Sequence, residues 1–301
     1  MFDERIACCY LYVITKYGYP PPVEKTGDYL AEMKALGFQS VELEGIHPDC
    51  ITWLYEHREE VTADVQAAGV NVPYFCVVLP ELSSPDAAVR EAQLAHFERG
   101  CDVAQALGAK GVLDNAPLPA YQFPGDMPIV RHYEEDVLMA ASIPKDLNWQ
   151  SYWDGLIDTF RTACEIAAKR GLTYQMHPCA GVLSATTDAY LYFRDAVDRD
   201  NLRFNLDTAN QFYLKDNPIL SLRRLVDFVD YIHLSDTGGG HVSHLPPGEG
   251  VIHWDLFFET LDLVGFKGHF GVDVGGAESP IDDLDAAYTQ TASWIEDRLE
   301  K

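Results

Sequence analysis

Four short segments in the second half of the chain end in side chains that can bind a metal ion. The segments TYQMHP, FNLDTAN, YIHLSD and FGVDVGG carry Gln175 and His177, Asp207, His233 and Asp273, respectively. Each segment is apolar before its polar end, as buried strands are, and about one strand-helix unit separates it from the next. In a parallel barrel, residues of this kind collect at one rim, where barrel active sites lie. The pattern therefore predicts a barrel with a metal site.

Segments typical of strands and of helices alternate along the whole chain. The strand candidates are rich in Val, Ile, Phe and Tyr and bounded by Gly, Pro, Asp or Asn. They are Arg5–Val13, Ser40–Leu43, Val70–Val78, Gly111–Leu113, Leu172–Met176, Leu202–Leu206, Tyr231–Leu234 and His269–Val274. Helical periodicity is clearest over Asp86–Leu107 and Asp283–Leu299.

Several predicted helices end in a glycine that suits a left-handed cap. These glycines are Gly37, Gly69, Gly108, Gly171 and Gly265. A strand candidate follows each of them within a few residues. Eight strand-helix units without a compositional break predict an α/β fold with one domain over residues 1–301. We expect a single (β/α)8 TIM barrel, rather than a doubly wound sheet.

One connection is much longer than the others. It runs from Asp114 to about Asn148, after the fourth strand, and contains five prolines. Loops longer than ~15 residues are usually functional lids or disordered segments. The aromatic residues Tyr121, Phe123 and Tyr133 favour an ordered lid over the rim that carries the chemistry.

Charge and composition limit the classes of partner. The formal net charge of −25 argues against nucleic acid and anionic membranes, because binding to phosphate backbones depends on Lys and Arg. No apolar run approaches the ~18 residues that a membrane span needs. The segment MFDERIACCY has charges where a signal peptide is apolar, and seven cysteines without CxxC spacing favour reduced thiols. We therefore expect a cytoplasmic protein.

The strand-end residues are more informative as a set than singly. An isolated Asp at a strand end often caps a helix, and an isolated His often lies in a core or a loop. Side chains alternate along a strand, so Gln175 and His177 point the same way, as do Glu42 and Glu44. Burial of several such groups without partners is costly, whereas one divalent cation satisfies several of them.

Three motifs resemble those of the xylose isomerase-like barrels. They are LDT at Leu206–Thr208, IHLSD at Ile232–Asp236 and PPGEGVIHW at Pro246–Trp254. The family includes ketose 3-epimerases, hydroxypyruvate isomerases, inosose dehydratases and the endonuclease IV branch. The resemblance covers nearly the whole chain, from LGFQSVELEG to the last helix. It implies a TIM barrel in which Asp207 and His233 bind a divalent metal. It also implies two further ligands, usually Glu, on strands five and eight.

The chain departs from this family at both outer ligand positions. Gln175 stands on strand five, with His177 two residues further, and Asp273 stands on strand eight. In the epimerases, the two glutamates move a proton on opposite faces of the sugar carbon. Gln cannot act as a base, whereas His177 can. A symmetrical two-glutamate epimerase is therefore in doubt, while an elimination of the inosose dehydratase kind needs only one base and one acid.

The resemblance implies proton abstraction next to the carbonyl of a keto-sugar or keto-polyol, with a metal stabilising the enolate charge. The outcome is isomerisation, epimerisation or dehydratase-like β-elimination. The expected metal ligands are Asp207, His233, Asp273 and one of Gln175 or His177. Mixed oxygen and nitrogen ligands suit one divalent ion, for which we favour Mn²⁺ over Mg²⁺, Co²⁺ or Zn²⁺. His177, if it is not a ligand, is the leading general base.

Other polar residues are expected near the reacting carbon. Glu44 is a candidate proton donor, and Asp273 keeps a carboxylate at the outer position. His47, His244 and Asp236 are candidate substrate contacts, although His47 and His244 also fit exposed loop positions. No Gly-rich phosphate loop with an adjacent Lys is evident, which favours a neutral sugar over a phosphorylated one.

Two alternative functions are less favoured. A non-catalytic barrel that binds a sugar or serves as a partner subunit would explain the absent Glu at position 175. A DNA-repair enzyme of the endonuclease IV type is disfavoured by the net charge of −25. The resemblance leaves a homo-oligomer open.

Overall fold

Nine short parallel strands form one ring in the computed structural model, which describes residues 1–115, 117–124 and 135–299. The strands are β1 (Ile6–Cys8), β2 (Ser40–Val41), β3 (Leu43–Ile46), β4 (Tyr74–Val78), β5 (Gly111–Asp114), β6 (Thr173–Met176), β7 (Leu202–Asp207), β8 (Tyr231–Leu234) and β9 (His269–Val272). Their order is β2-β1-β9-β8-β7-β6-β5-β4-β3. Because only Glu42 separates β2 from β3, these two form one interrupted barrel strand, and the predicted eight-stranded barrel is confirmed.

Helices connect the strands and surround the ring. The described α-helices are α1 (Leu11–Tyr17), α2 (Thr26–Ala35), α3 (His47–Glu56), α4 (Arg58–Ala68), α5 (Ala87–Ala106), α6 (Glu135–Ala140), α7 (Trp149–Ala168), α8 (Thr187–Val197), α9 (Thr208–Tyr213), α10 (Pro218–Leu225), α11 (Trp254–Val264) and α12 (Leu284–Leu299). The five predicted cap glycines all have positive φ, between 64° and 101°. Within the described ranges, no helix combines the length and the apolar character that crossing a bilayer requires.

Two of the predicted strands are longer than the observed ones, because apolar residues also occur in buried helices and loops. The candidate Arg5–Val13 is wrong beyond Cys8, because helix α1 begins at Leu11. Residues 11–14 are all buried, and such a continuous apolar run does not distinguish a strand from a buried helix. The candidate Val70–Val78 forms a strand only from Tyr74, directly after Pro73, which cannot donate a ladder hydrogen bond.

Aromatic side chains fill the barrel below the rim. The rings of Tyr74 and Tyr231 stack across the interior with centroids 4.4 Å apart. The Tyr231 hydroxyl lies 3.5 Å from the thiol of Cys9. The ring of His233, two residues along β8, packs edge-on against Tyr231. A packed layer therefore supports His233 from the amino-terminal side of the barrel.

Part of the predicted lid, residues 116 and 125–134 with Pro128 and Tyr133, lies outside the described residues. The described part contains α6 and an antiparallel bridge between Gln122 and Ser142. The Tyr152 hydroxyl in α7 donates to the carbonyl of Leu118 at 3.0 Å. The lid itself stays a prediction.

A buried carboxyl at the end of β5 lies outside the barrel interior. Asp114 is fully buried, and the Tyr174 hydroxyl donates to its Oδ2 at 3.3 Å. The Tyr174 ring packs against Phe97 and Phe160 of the helical layer. Burial raises the pKa of Asp114 to about 7.

Replacement of Asp114 with Asn is expected to flatten the dependence of stability on pH. Because the pKa of Asp114 rises from 3.8 to about 7 on folding, the folded state keeps a proton that the unfolded chain releases. Folding therefore loses free energy as pH rises between these values, by about 2.5 kcal/mol between pH 5 and pH 8. Urea unfolding at both pH values should show the variant gaining this amount relative to the wild type. Parallel pH profiles of the two proteins would refute the assignment.

Candidate metal centre

Four buried side chains meet at the carboxyl ends of four neighbouring strands. His177 follows β6, Asp207 ends β7, His233 lies in β8 and Asp273 follows β9. One nitrogen or oxygen atom from each lies within 4.8 Å of every other. None of the four residues is more than 2% exposed. These four residues are called the metal group below.

The parallel register of the strands brings the metal group together. Asp207 pairs with His233 across β7 and β8, and His233 pairs with Gly271 across β8 and β9. His177 Nε2 lies 3.1 Å from Asp207 Oδ2, and His233 Nδ1 lies 3.6 Å from Asp273 Oδ2. The carboxylates and imidazoles thus alternate around one small space.

Gln175 lies outside this group. Its amide nitrogen donates to Thr173 Oγ1 at 3.0 Å and to Asp230 Oδ2 at 3.4 Å. Both partners lie at the amino-terminal ends of their strands, so the amide turns away from the rim. Of the two candidates on the fifth barrel strand, the structure brings His177, and not Gln175, to Asp207, His233 and Asp273.

Hydrogen bonds from neighbouring residues fix the orientation of two members of the metal group. The backbone NH of Asn210 donates to Asp207 Oδ1 at 2.8 Å, and its side-chain amide donates to Oδ2 at 2.9 Å. His233 Nε2 lies 3.0 Å from Glu42 Oε2, which leaves Nδ1 on the side of Asp273. Such partners orient metal-binding side chains. The sequence reasoning missed both roles, although Asn210 closely follows the LDT motif.

The LDT and HLSD motifs are joined by one hydroxyl. Thr208 Oγ1 donates to the carbonyl of Ser235 at 2.7 Å and accepts from its backbone NH at 3.1 Å. Across the next strand, a Cβ added at Gly271 would lie 3.0 Å from the His233 ring and 2.4 Å from the Cys9 sulfur. The motif threonine and this glycine therefore fix where Asp207 and His233 meet.

Burial and neighbouring charges shift the pKa values of two residues of the metal group in opposite directions. Burial alone would raise the pKa of Asp207, but its hydrogen bond with His177, and the charges of His177 and His244, lower this pKa to about 2. Burial likewise opposes protonation of His233. The negative charges of the Glu42 and Asp273 carboxylates nevertheless raise its pKa well above the usual value. The group thus attracts positive charge.

The donor set fits a divalent ion. Imidazole nitrogens and carboxylate oxygens both bind divalent metal ions, and the mutual distances of these four atoms allow one ion to contact them all. Such an ion would take the place of the protons that the imidazoles otherwise hold.

Two predicted residues, His244 and Glu44, lie beside the metal group, and a third, His47, packs against Tyr19 of the adjacent cavity. His244 is fully buried, with Nε2 3.6 Å from Asp273 Oδ2 and 4.0 Å from Asp207 Oδ2. Glu44 lines a small cavity together with His177, His233 and Tyr19. His47 begins α3, half-buried, and its ring packs edge-on against Tyr19. Burial lowers the pKa of His47.

The carboxylate of Asp236, predicted as a substrate contact, accepts hydrogen bonds from the loop that follows it. Its Oδ1 accepts from the NH groups of Thr237 and Ile252, and its Oδ2 accepts from the Gly248 NH and from Trp254 Nε1 at 2.7 Å. A Cβ added at Gly250 would lie 2.2 Å from Asp236 Oδ1. With four donors on its two oxygens, Asp236 shapes loop 237–253, which carries His244. The HLSD and PGEG motifs meet in this network.

The fold and the metal group define a class of protein. The sequence matches the family described as xylose isomerase-like TIM barrel over residues 30–298, and the chain belongs to that family. The resemblance of the LDT, IHLSD and PPGEGVIHW motifs is thereby confirmed.

The individual proteins that resemble this chain share only a small fraction of its sequence. L-ribulose-5-phosphate 3-epimerase UlaE of Escherichia coli strain K12 is 22% identical over 275 residues, which cover 89% of this chain and 88% of that protein. The crystal structure of a D-allulose 3-epimerase from Methylomonas sp. matches with a TM-score of 0.73 at 17% identity, covering 99% of both chains. The probable 3-DHS dehydratase AsbF from Bacillus anthracis matches with a TM-score of 0.66 at 14% identity, covering 96% of this chain and 98% of that one. At these identities the solved structures establish the fold alone.

Proposed function

We propose that this protein is a divalent-metal-dependent carbohydrate enzyme that removes a proton next to the carbonyl of a keto-sugar or keto-polyol. The outcome is isomerisation, epimerisation or β-elimination. The convergence of His177, Asp207, His233 and Asp273 at the barrel rim carries the proposal. The names of the similar proteins, two epimerases and a dehydratase, support epimerisation and elimination.

A neutral sugar is the substrate we favour. Among the described residues, those that line the small cavity beside the metal group, such as Glu42, Glu44, Asn115 and Tyr19, include no Lys or Arg. Carboxylates and amides bind hydroxyl groups well, whereas a phosphate dianion needs cations or helix N-termini. The net charge of −25 adds repulsion.

The metal group would hold the ion. When bound, a divalent ion supplies Lewis-acid stabilisation of the negative charge on the substrate oxygen. Mn²⁺ is the ion we favour for two nitrogen and two oxygen ligands, with Mg²⁺, Co²⁺ and Zn²⁺ as alternatives. Glu42 and Asn210 orient the ligands from behind.

Two residues are candidates for taking the substrate proton. His177 faces the cavity, but a ring nitrogen that binds the ion cannot also accept a proton. Glu44 lines the same cavity and is outside the metal group. Asp273 is both a proposed metal ligand and a neighbour of His244. Its carboxyl group is the candidate that returns a proton to the substrate.

Paired variants are expected to separate ligand from base. His177→Gln should lose both bound metal and proton exchange if His177 is a ligand. Glu44→Gln should keep the metal and lose about a hundred-fold or more in proton exchange if Glu44 is the base, in line with general-base contributions. Elemental analysis gives the metal content, and loss of substrate ¹H signal in D₂O gives the exchange rate. Full exchange in Glu44→Gln with metal bound would remove Glu44 from the mechanism.

The outcome of the reaction is tested with purified protein, Mn²⁺ and a panel of keto-sugars and inososes in D₂O. Deuterium incorporation with an unchanged molecular formula indicates isomerisation or epimerisation. Loss of water or of an aglycone indicates elimination. Bound metal without exchange or elimination on any substrate would contradict the proposed function and favour a sugar-binding or partner-subunit barrel.

A further inference from the structure

His244 has an unusual backbone conformation. Its φ angle is +39°, in the region that residues other than glycine rarely adopt. Its carbonyl accepts a hydrogen bond from Gly275 NH at 3.0 Å, which ties loop 237–253 to the segment after β9. The imidazole is fully buried and its Nε2 faces the carboxylates of Asp207 and Asp273. Residues held in such rare conformations often have a function that requires them.

A carboxylate approaches the other side of this ring. Glu278 Oε1 lies 2.6 Å from His244 Nδ1. The turn that brings Glu278 back depends on two glycines with positive φ, Gly275 at 116° and Gly276 at 88°. A Cβ added at Gly276 would lie 2.4 Å from Glu278 Oε2, and the Gly276 NH is held by Thr15 Oγ1 at 2.8 Å. Several independent contacts therefore place this carboxylate against His244.

We propose that Glu278 is a positioning residue that accepts the Nδ1 proton of His244 and so directs Nε2 to an oxygen of the substrate above the metal group. This inference rests on the proposed function and adds a specific contact to it. A carboxylate on one ring nitrogen fixes both the tautomer and the ring orientation, so the second nitrogen presents a defined hydrogen-bonding atom. The ligand chemistry that fits this position is a polyhydroxylated sugar with a hydroxyl group next to the ion, because the unprotonated Nε2 can accept a hydrogen bond from a hydroxyl.

A purely structural pair would have different consequences. If Glu278 only anchored the loop, the reaction rate would not depend on which ring nitrogen of His244 carries the proton. If Glu278 positions Nε2, its effect should vanish when His244 is already absent. A double-mutant cycle distinguishes these cases, because residues that act through each other are not additive.

The test uses Glu278→Gln, which keeps the size of the side chain and one acceptor oxygen, together with His244→Gln and the double variant. Glu259→Gln, exposed on α11, serves as the matched control. We expect kcat/KM to fall about 10- to 100-fold in each single variant, the range for lost supporting residues of metal sites. The double variant should be no slower than His244→Gln alone, and all should keep the wild-type metal content.

A spectroscopic readout accompanies the kinetics. Long-range ¹H–¹⁵N NMR of the histidine rings, assigned with His244→Gln, should show the Nδ1–H form of His244 in the metal-bound wild type and a mixture in Glu278→Gln. An unchanged tautomer with unchanged kcat/KM would overturn the proposal, as would additive losses in the double variant. If the wild type acts on no keto-sugar, the proposed function fails, and the NMR comparison still decides whether Glu278 sets the ring.

Discussion

Asp207→Asn is expected to lose the divalent ion that we propose for the metal group and to reduce kcat/KM by about three orders of magnitude, near the upper size of one lost electrostatic stabiliser. The substitution keeps the shape of the side chain and Oδ1, which caps α9 by accepting from the Asn210 NH. It removes the negative charge and places an amide where Oδ2 now faces His177 Nε2. The low pKa of Asp207, about 2, means that this charge is present throughout the neutral range. The ion therefore loses both a ligand and the charge that balances it.

Elemental analysis and calorimetric titration with Mn²⁺ measure the loss of metal independently of the reaction. Asp262→Asn, on the exposed face of α11, is the matched control, and we expect it to bind one equivalent of Mn²⁺, as we expect of the wild type. Thermal unfolding in excess chelator compares the folded states without the contribution of the metal. Stoichiometric, tight metal binding by Asp207→Asn would show that the metal group is not the site of the ion.

The ring of strands was predictable because its signals are local. The strand Tyr231–Leu234 is confirmed at both ends, since a largely apolar run of four residues is followed directly by Ser and Asp. Asp207, His233 and Asp273 were predicted to meet, because the carboxyl ends of parallel strands share one rim. Here the local pattern and the parallel register gave the same answer.

The choice between Gln175 and His177 was not predictable. Alternation along β6 gives both side chains the same direction, so only their depth in the barrel separates them. That depth depends on the tilt of the strands and on Thr173 and Asp230, which accept the Gln175 amide. Such partners are set by tertiary structure, and no spacing in the sequence reveals them.

Loop contacts were also beyond the sequence. Asp236 lies three residues after His233 and resembled a residue of the site, yet the shortest hydrogen bond of its carboxylate comes from Trp254, 18 residues away. Glu278 lies 34 residues from His244, in a segment with no motif. Contacts of this separation depend on where each loop returns to the barrel, which the strand pattern does not determine.

Asp236→Asn is expected to lower the free energy of unfolding by about 3–5 kcal/mol. The carboxylate accepts four hydrogen bonds in a buried position, and an amide nitrogen in place of either oxygen would face two of the four donors. A buried donor left without an acceptor costs about 1–3 kcal/mol, and more when the acceptor was charged. Urea unfolding measures the loss. Asp255→Asn, exposed in the first turn of α11, is the control and should change stability by less than about 0.5 kcal/mol.

The same substitution should also lower activity, because Asp236 organises the loop that holds His244 over the metal group. Trp254→Phe removes one of the four donors and keeps most of the ring, so it should cost less on its own. In the double variant, the side-chain amide introduced at position 236 no longer opposes an indole NH, and part of the stability lost in Asp236→Asn should return. Strictly additive losses, or wild-type stability in Asp236→Asn, would mean that the PGEG segment is held by other contacts and that Asp236 is available to a substrate after all.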